Sequence, residues 1–249
     1  MEGKKVTGTH ARKYDKFPIL IKFIDAKKDL SIQVHPDDDY ALKNEGQYGK
    51  TEMWYIMECD EGSFMYYGFS REVSKEELQE RIKNKTLPEV LNKVEVQKAD
   101  VLFIEPGTIH AIGKGNVIAE IQQNSNVTYR VYDYGRKGPD GKDRDLHIEK
   151  ALQVTKTVPI LRKKSFEPHI VSCPYFTVDK LVLDGQHVKK VFGEIDKTSF
   201  VSILVMEGKG TIRDKEETLT FKKGDSLFVT ANIGEYELEG AFEALVTTV

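Results

Sequence analysis

The sequence contains little cysteine: its two thiols, Cys59 and Cys173, lie far apart along 249 residues. Two isolated cysteines are too few for a disulfide framework or for a zinc site built from thiolates. The simplest interpretation is that both are small core hydrophobes in a reducing compartment. The sequence therefore predicts a cytoplasmic protein.

Long apolar runs and an excess of one charge are also missing. No stretch approaches the roughly 20 apolar residues that a helix needs to cross a bilayer, and residues 1–5 lack the apolar core of a secretory signal. Basic and acidic residues are interspersed, 37 against 40, which gives a formal net charge of -3. Such a surface has no basic face, so neither nucleic acid nor an anionic membrane is expected as a partner.

What the sequence does contain is apolar–polar alternation with period two, the pattern of half-buried strands. It occurs at residues 18–24, 30–35, 52–57, 94–96, 101–104, 117–122 and 127–132. One helix is predicted at about 75–83, because Ser74 and Glu77 form a capping box. Pro88 suits the first turn of a second, short helix. These helices form a small insertion between strands.

An internal repeat indicates two sheet-rich halves. Residues 98–104 (KADVLFI) match residues 223–229 (KGDSLFV) almost position for position, and each copy opens with a turn before an apolar strand. The boundary between the halves is expected somewhere between about 158 and 174.

Four residues form a candidate metal-binding set. Gln33 and His35 point to one face of a strand because side chains repeat every second residue. Glu52 lies on a following strand, and His110 follows the Pro-Gly-Thr turn at 106–108. Two imidazoles, a carboxylate and an amide oxygen suit zinc or another divalent first-row metal. Spacing alone leaves open whether these four side chains meet in space. A single histidine on a strand usually has a structural role and is not a metal ligand.

Several motifs together resemble those of type I mannose-6-phosphate isomerases, a family of the cupin superfamily, in its short bacterial form. They are residues 33–38 (QVHPDD), 49–54 (GKTEMW), 106–111 (PGTIHA) and 122–136 (QQNSNVTYRVYDYGR). They occur in the family's order, and the similarity extends from about Phe17 to the C-terminus. The resemblance implies a mainly β fold with two cupin-like β-barrels, or jelly rolls, and a small helical insertion.

The same resemblance implies a site and an activity. Gln33, His35, Glu52 and His110 would hold one Zn²⁺ per chain, Arg130 would be the active-site arginine and Lys50 would lie in the catalytic cleft. The substrate would be a small sugar phosphate, with mannose 6-phosphate and fructose 6-phosphate interconverted by a metal-dependent aldose–ketose isomerisation. Period two supports part of this set independently, because Lys50 shares a strand face with Glu52.

The expected division is a metal-binding catalytic cupin with the helical insertion at residues 1–160 and a degenerate cupin without metal at 161–249. In the second copy of the repeat, Glu235 stands where the first copy has His110. Members of the family usually begin further upstream, so the resemblance predicts a first barrel that lacks one strand and has an open sheet edge.

The sequence does not identify the proton-transfer base. Asn126 stands where many relatives carry aspartate, so it is not assigned this role, and Glu52 acting off the metal, His110, Lys50 and a metal-bound water remain candidates. Two other functions are also compatible with the sequence. One is a non-catalytic cupin that binds sugar phosphates, as a shortened homologue, and the other is an iron-dependent cupin dioxygenase that consumes O₂.

Overall fold

A computed structural model describes residues 3–138, 140–162 and 166–249. The α-helices are Gly3–Val6 (α1), Asp38–Glu45 (α2), Lys75–Lys83 (α3) and Ile148–Val154 (α4), and two 3₁₀ helices lie at His10–Lys13 and Leu87–Val90. The remaining regular elements are β-strands. The prediction of a mainly β fold is confirmed. Among the described residues, no helix is long and apolar enough to cross a membrane.

The strands are Ile19–Ala26 (β1), Ile32–Val34 (β2), Glu52–Cys59 (β3), Phe64–Phe69 (β4), Leu91–Glu95 (β5), Val101–Ile104 (β6), His110–Ile112 (β7), Asn116–Gln123 (β8), Tyr129–Tyr132 (β9), Val171–Ser172 (β10), Thr177–Asp184 (β11), Lys190–Ile195 (β12), Val201–Arg213 (β13), Thr218–Lys222 (β14), Ser226–Val229 (β15) and Gly234–Thr248 (β16).

The chain forms two compact units. The first unit is Ile19–Lys163, and the second unit is Met1–Pro18 together with Lys164–Val249. The division expected from the sequence, 1–160 and 161–249, differs because the N-terminal segment belongs to the second unit. Thr9 N–H donates to the Lys197 carbonyl at 2.9 Å, and His10 N–H donates to the Thr198 carbonyl at 2.9 Å. Contacts between opposite ends of a chain leave no local pattern that a sequence argument could use.

Two antiparallel sheets build the described part of the first unit, with strand orders β1-β8-β3-β6 and β5-β4-β7-β2-β9. Both contribute to one core, in which Trp54 and Leu102 of the first sheet pack with Met65 and Tyr67 of the second. A separate apolar cluster covers the other face of the five-stranded sheet, where α3 and α4 pack. The five-stranded sheet therefore has an inner face toward the first sheet and an outer face under the helices.

Helix α3 begins and ends where the sequence predicts. The Ser74 hydroxyl accepts the Glu77 N–H at 3.1 Å, which satisfies a free donor of the first turn. Leu78 and Ile82, one turn apart, are the buried residues of this helix. The second predicted helix is a 3₁₀ turn at Leu87–Val90, with Pro88 in its first turn. The helical insertion is therefore confirmed.

In the described part of the second unit, β10, β11, β16, β13 and β14 follow one another in a sheet that also includes β12 and β15. The internal repeat is visible in its turns. Asp100 Oδ2 accepts the Gln97 N–H at 3.0 Å, and Asp225 Oδ2 accepts the Lys222 N–H at 2.8 Å. The residue before each aspartate is left-handed, with φ of 73° at Ala99 and 90° at Gly224. The two copies thus share one turn geometry.

Candidate metal centre

Three of the four predicted metal ligands meet inside the first unit. His35, Glu52 and His110 are buried, and one potential ligand atom of each lies within 4.8 Å of the others. The pairing of β2 with β7 places His110 opposite Gln33, while Glu52 approaches from β3 of the other sheet. Glu52 Oε1 lies 3.3 Å from His110 Nε2, and Glu52 Oε2 lies 3.7 Å from His35 Nε2.

Both imidazoles are held in one tautomer by backbone carbonyls. His35 Nδ1 donates to the Val127 carbonyl at 2.9 Å, and His110 Nδ1 donates to the Thr108 carbonyl at 2.8 Å. A carbonyl only accepts, so each Nδ1 carries the hydrogen and each Nε2 presents its lone pair to the cluster. Burial, and then the charge of Lys50, lowers the pKa of His35 well below its ordinary value. Burial lowers the pKa of His110 to about 4.

The cluster fits a cation because it contains buried acceptor atoms that receive no hydrogen bond from any described residue. His35 Nε2 and Glu52 Oε1 have no hydrogen-bond partner among the described residues. A buried polar atom left unpaired costs about 1–3 kcal/mol. Nitrogen and carboxylate donors of this kind suit zinc and related divalent ions. The residues present therefore fit the metal that the sequence predicts.

Gln33 reaches the same cluster through its side-chain amide. Its Nε2 is placed 3.4 Å from His110 Nε2. Amide oxygen and nitrogen are assigned from their surroundings. Turning the amide by half a rotation brings Oε1 to the same place, which is the orientation that a cation on the imidazole nitrogens would favour. The fourth predicted ligand is thus within reach of the other three.

Lys50 lies beside the cluster and is itself buried. Its Nζ is 2.7 Å from Glu52 Oε2 and 3.9 Å from Glu120 Oε1. Burial alone lowers the pKa of Lys50, but the two carboxylates outweigh burial and raise it. The side chain is therefore an ammonium group, held between Glu52 and Glu120.

Glu120 belongs to a polar network that the sequence argument missed. It is buried and accepts a hydrogen bond from Trp54 Nε1 at 3.1 Å. Lys22 Nζ donates to Glu120 at 2.7 Å and to Gln122 at 2.6 Å. A signal was present: a charged residue within the apolar run 117–121 (VIAEI) must find a buried partner.

Arg130 lies directly across the sheet from Gln33, in the pairing of β9 with β2. Its Nε donates to the Ser31 hydroxyl at 3.3 Å, and its Nη1 donates to the Asp145 carbonyl at 3.1 Å. Burial lowers the pKa of Arg130, but an arginine side chain stays charged at neutral pH. The predicted active-site arginine is thus a cross-strand neighbour of a predicted metal ligand.

Within the described residues, the metal-ligand cluster includes no histidine besides His35 and His110. His147 precedes α4, where its N–H donates to the Arg130 carbonyl at 2.8 Å. His169 contacts Asp179 at 2.8 Å, and His187 contacts Asp184 at 2.8 Å. Glu235, which takes the place of His110 in the second copy of the repeat, is exposed.

Antiparallel sheets around a buried set of imidazole and carboxylate donors define the class of protein, a cupin-like protein with a candidate metal site. Two family models match the chain: the catalytic domain of type I phosphomannose isomerase over residues 2–66 and the cupin domain of mannose-6-phosphate isomerase over residues 167–249.

Similarity to known proteins identifies the family within this class. The chain is 39% identical over 244 residues to mannose-6-phosphate isomerase ManA of Bacillus subtilis (strain 168), covering 94% of this chain and 75% of the relative. It is 39% identical over 240 residues to mannose-6-phosphate isomerase of Streptococcus mutans, covering 93% and 74%. The crystal structure of the B. subtilis mannose 6-phosphate isomerase matches with a TM-score of 0.88 at 34% identity, over 100% of this chain and 80% of that one. The chain belongs to the type I mannose-6-phosphate isomerase family, and the predicted cupin-like fold is confirmed.

Proposed function

We propose that this chain is a metal-dependent aldose–ketose isomerase that interconverts mannose 6-phosphate and fructose 6-phosphate. The observation that carries the proposal is the convergence of two neutral imidazoles and one carboxylate at a buried point, with the ammonium of Lys50 beside it. The names of the similar proteins supply the substrate. They favour catalysis over the alternative of a cupin that only binds sugar phosphates.

In this proposal Gln33, His35, Glu52 and His110 hold one Zn²⁺. The donor set supports this choice, because its nitrogen and oxygen atoms are those that zinc accepts in catalytic sites. When bound, the metal supplies Lewis-acid polarisation of the substrate oxygens at C1 and C2.

The remaining chemistry belongs to side chains of the chain itself. Lys50 Nζ offers a buried ammonium that can donate to a substrate oxygen as negative charge develops there. Arg130 offers paired donors in a fixed plane, which suits an enediolate or a phosphate. A base moves one proton between C2 and C1, a contribution of roughly 10²–10⁴ in rate. Glu52, His110 and a water molecule remain candidates for that base, whereas Lys50, as an ammonium group, has no lone pair that could accept a proton.

The proposal assigns catalysis to the first unit and a supporting role without metal to the second. The exposed Glu235 in place of His110 supports this division. We also propose that the reaction takes place in the cytoplasm, which agrees with two cysteines that form no disulfide.

The decisive experiment combines elemental analysis with a coupled isomerase assay on one purified sample. We expect about one zinc per chain and conversion of mannose 6-phosphate to fructose 6-phosphate. Tight binding of mannose 6-phosphate without conversion by the metal-loaded chain would contradict the proposal in favour of a binding protein. Bound iron with substrate-dependent O₂ uptake would instead identify a dioxygenase.

A further inference from the structure

A cavity of about 280 Å³ lies in the first unit, away from the candidate metal centre. Its apolar wall includes Ile82 of α3 and Ile148 of α4, which pack in the cluster on the outer face of the five-stranded sheet. Ile32 and Val34 of β2 pack in that outer cluster too, so Gln33 between them faces the opposite side. The cavity and the metal centre therefore lie on opposite faces of one sheet.

The polar lining of the cavity is more basic than acidic. Four residues are cationic and two are anionic, a net charge of +2: Lys83, Lys85, Arg136 and Arg144 against Asp133 and Asp143. Both acids already have partners. Asp133 forms ion pairs with Arg136 and with Arg144, whose Nη1 is 3.2 Å from Oδ2. The positive charge of the lining is therefore not neutralised by its own carboxylates.

The uncompensated charge includes two lysines, Lys83 in the last turn of α3 and Lys85 just beyond it. Asp143 pairs with Lys137 at 2.7 Å, and Lys85 acts on Asp143 only at longer range, lowering its pKa after the larger effect of Lys137. Neither Lys83 nor Lys85 forms a direct ion pair with any residue in the described part of the chain. Two ammonium groups at one cavity are the natural partners of a dianion.

The apolar residues of the lining add a second recognition element. Asp133 is buried and its Oδ2 is closed off from solvent, so this carboxylate holds Arg136 and Arg144 in the wall of the cavity. Tyr132 and Leu146 supply apolar surface for the organic part of a ligand. The volume lies close to the lower end of the range of small-molecule sites, roughly 300–1,000 Å³.

We propose that this cavity binds a small organic phosphate monoester. Lys83 and Lys85 bind its phosphate, and its organic part packs against the apolar side of the lining, which includes Tyr132 and Leu146. The site is separate from the one that holds the substrate in the proposed function.

The segment between Asp143 and Ile148 connects this cavity to Arg130. Asp143, Arg144, Leu146 and Ile148 line the cavity. The two residues between them contact Arg130 instead. The Asp145 carbonyl accepts from Arg130 Nη1 at 3.1 Å, and His147 Nδ1 accepts the Arg130 backbone N–H at 3.3 Å. Alternate residues of this short segment therefore line the cavity and contact Arg130. Because the segment moves as one piece of backbone, a ligand in the cavity shifts the position of Arg130.

Binding is tested by methyl NMR on the zinc-loaded full chain, titrated with glycerol 3-phosphate and separately with inorganic phosphate. We expect the Ile82 and Ile148 methyl signals to shift with glycerol 3-phosphate, while Ile203 in the second unit stays constant. Lys83→Gln/Lys85→Gln should weaken this binding about tenfold. Both lysines are exposed, so the substitutions should leave the fold intact. Lys75→Gln/Lys98→Gln removes the same charge at exposed positions that do not line the cavity, and should bind as the parent does.

The site is refuted if the two methyl signals do not move, or if the Lys83→Gln/Lys85→Gln chain responds as the control does. A response to inorganic phosphate equal to that to glycerol 3-phosphate would refute recognition of the organic part of the ligand.

The effect on turnover rests on the proposed function, whereas the binding test does not. With mannose 6-phosphate as substrate, glycerol 3-phosphate should change kcat in the parent and in the control variant. In Lys83→Gln/Lys85→Gln it should change KM alone, through competition at the active site. Purely competitive inhibition in all three proteins would refute the coupling to Arg130.

Discussion

The buried pair of Lys50 and Glu52 permits a quantitative test in the metal-free chain. Its atoms are 2.7 Å apart, and 5% of Lys50 and 0% of Glu52 is exposed. Removing one partner of a buried ion pair leaves an uncompensated charge, at a cost of about 3–5 kcal/mol. After Glu52→Gln, Lys50 keeps Glu120 at 3.9 Å, so we expect the lower end of that range, about 3 kcal/mol. Lys50→Met leaves the charged Glu52 carboxylate beside two uncharged imidazoles, so we expect it to lower the free energy of unfolding by more than Glu52→Gln does.

The double variant Lys50→Met/Glu52→Gln removes both charges and should be much less destabilised than the sum of the single variants. We expect a coupling energy of about 2–3 kcal/mol, well above the roughly 0.5 kcal/mol scatter of independent sites. The assay is urea unfolding in EDTA, followed by fluorescence of Trp54, which is the single tryptophan of the sequence and reports on the first unit. Additive effects would refute the buried pair.

Three further predictions concern the metal centre and the helical insertion. The histidines are uncharged when folded and the His110 pKa is about 4, so the unfolded chain binds more protons below pH 6.5. Stability of the metal-free chain should therefore fall from pH 6.5 toward 4, by about 3 kcal/mol for His110, and His110→Asn should flatten this dependence in urea unfolding. His35→Ala should lose zinc and isomerase activity together, whereas Arg130→Ala should keep zinc and lose turnover, by elemental analysis and coupled assay. A metal-replete His35→Ala chain with an unchanged rate would contradict the site. Ser74→Ala should cost about 1 kcal/mol of stability, whereas a loss of activity without destabilisation would be unexpected.

Local patterns predicted two elements whose stability is local, α3 and β6, but α2 was missed although Asp37 caps its first turn. Helix α3 has its own cap and apolar stripe, so its bounds follow from nine residues of sequence. Strand β6 coincides with the predicted residues 101–104, because a turn with an aspartate fixes its start. By contrast, α4 was not predicted: no side chain caps its first turn, and packing against β9 and β2 holds it in place.

The candidate site was predictable to the extent that its residues lie in short motifs. Gln33 and His35 share a strand face, so their convergence needs only period two. The position of Glu120 beside Lys50 depends on the pairing of β3 with β8, which brings together segments far apart in the chain. No pattern within either segment carries that information.

The carbonyl contacts of His35 and His110 have a consequence for how the protein acquires its ion. In small zinc domains the ligands are disordered until metal arrives, and binding and folding are one event. Here the backbone at Val127 and Thr108 already fixes both rings. Loading should therefore leave the far-UV circular dichroism unchanged. The metal-free protein can then be loaded with different divalent ions in turn, and the activity with each ion can be compared in one unchanged fold.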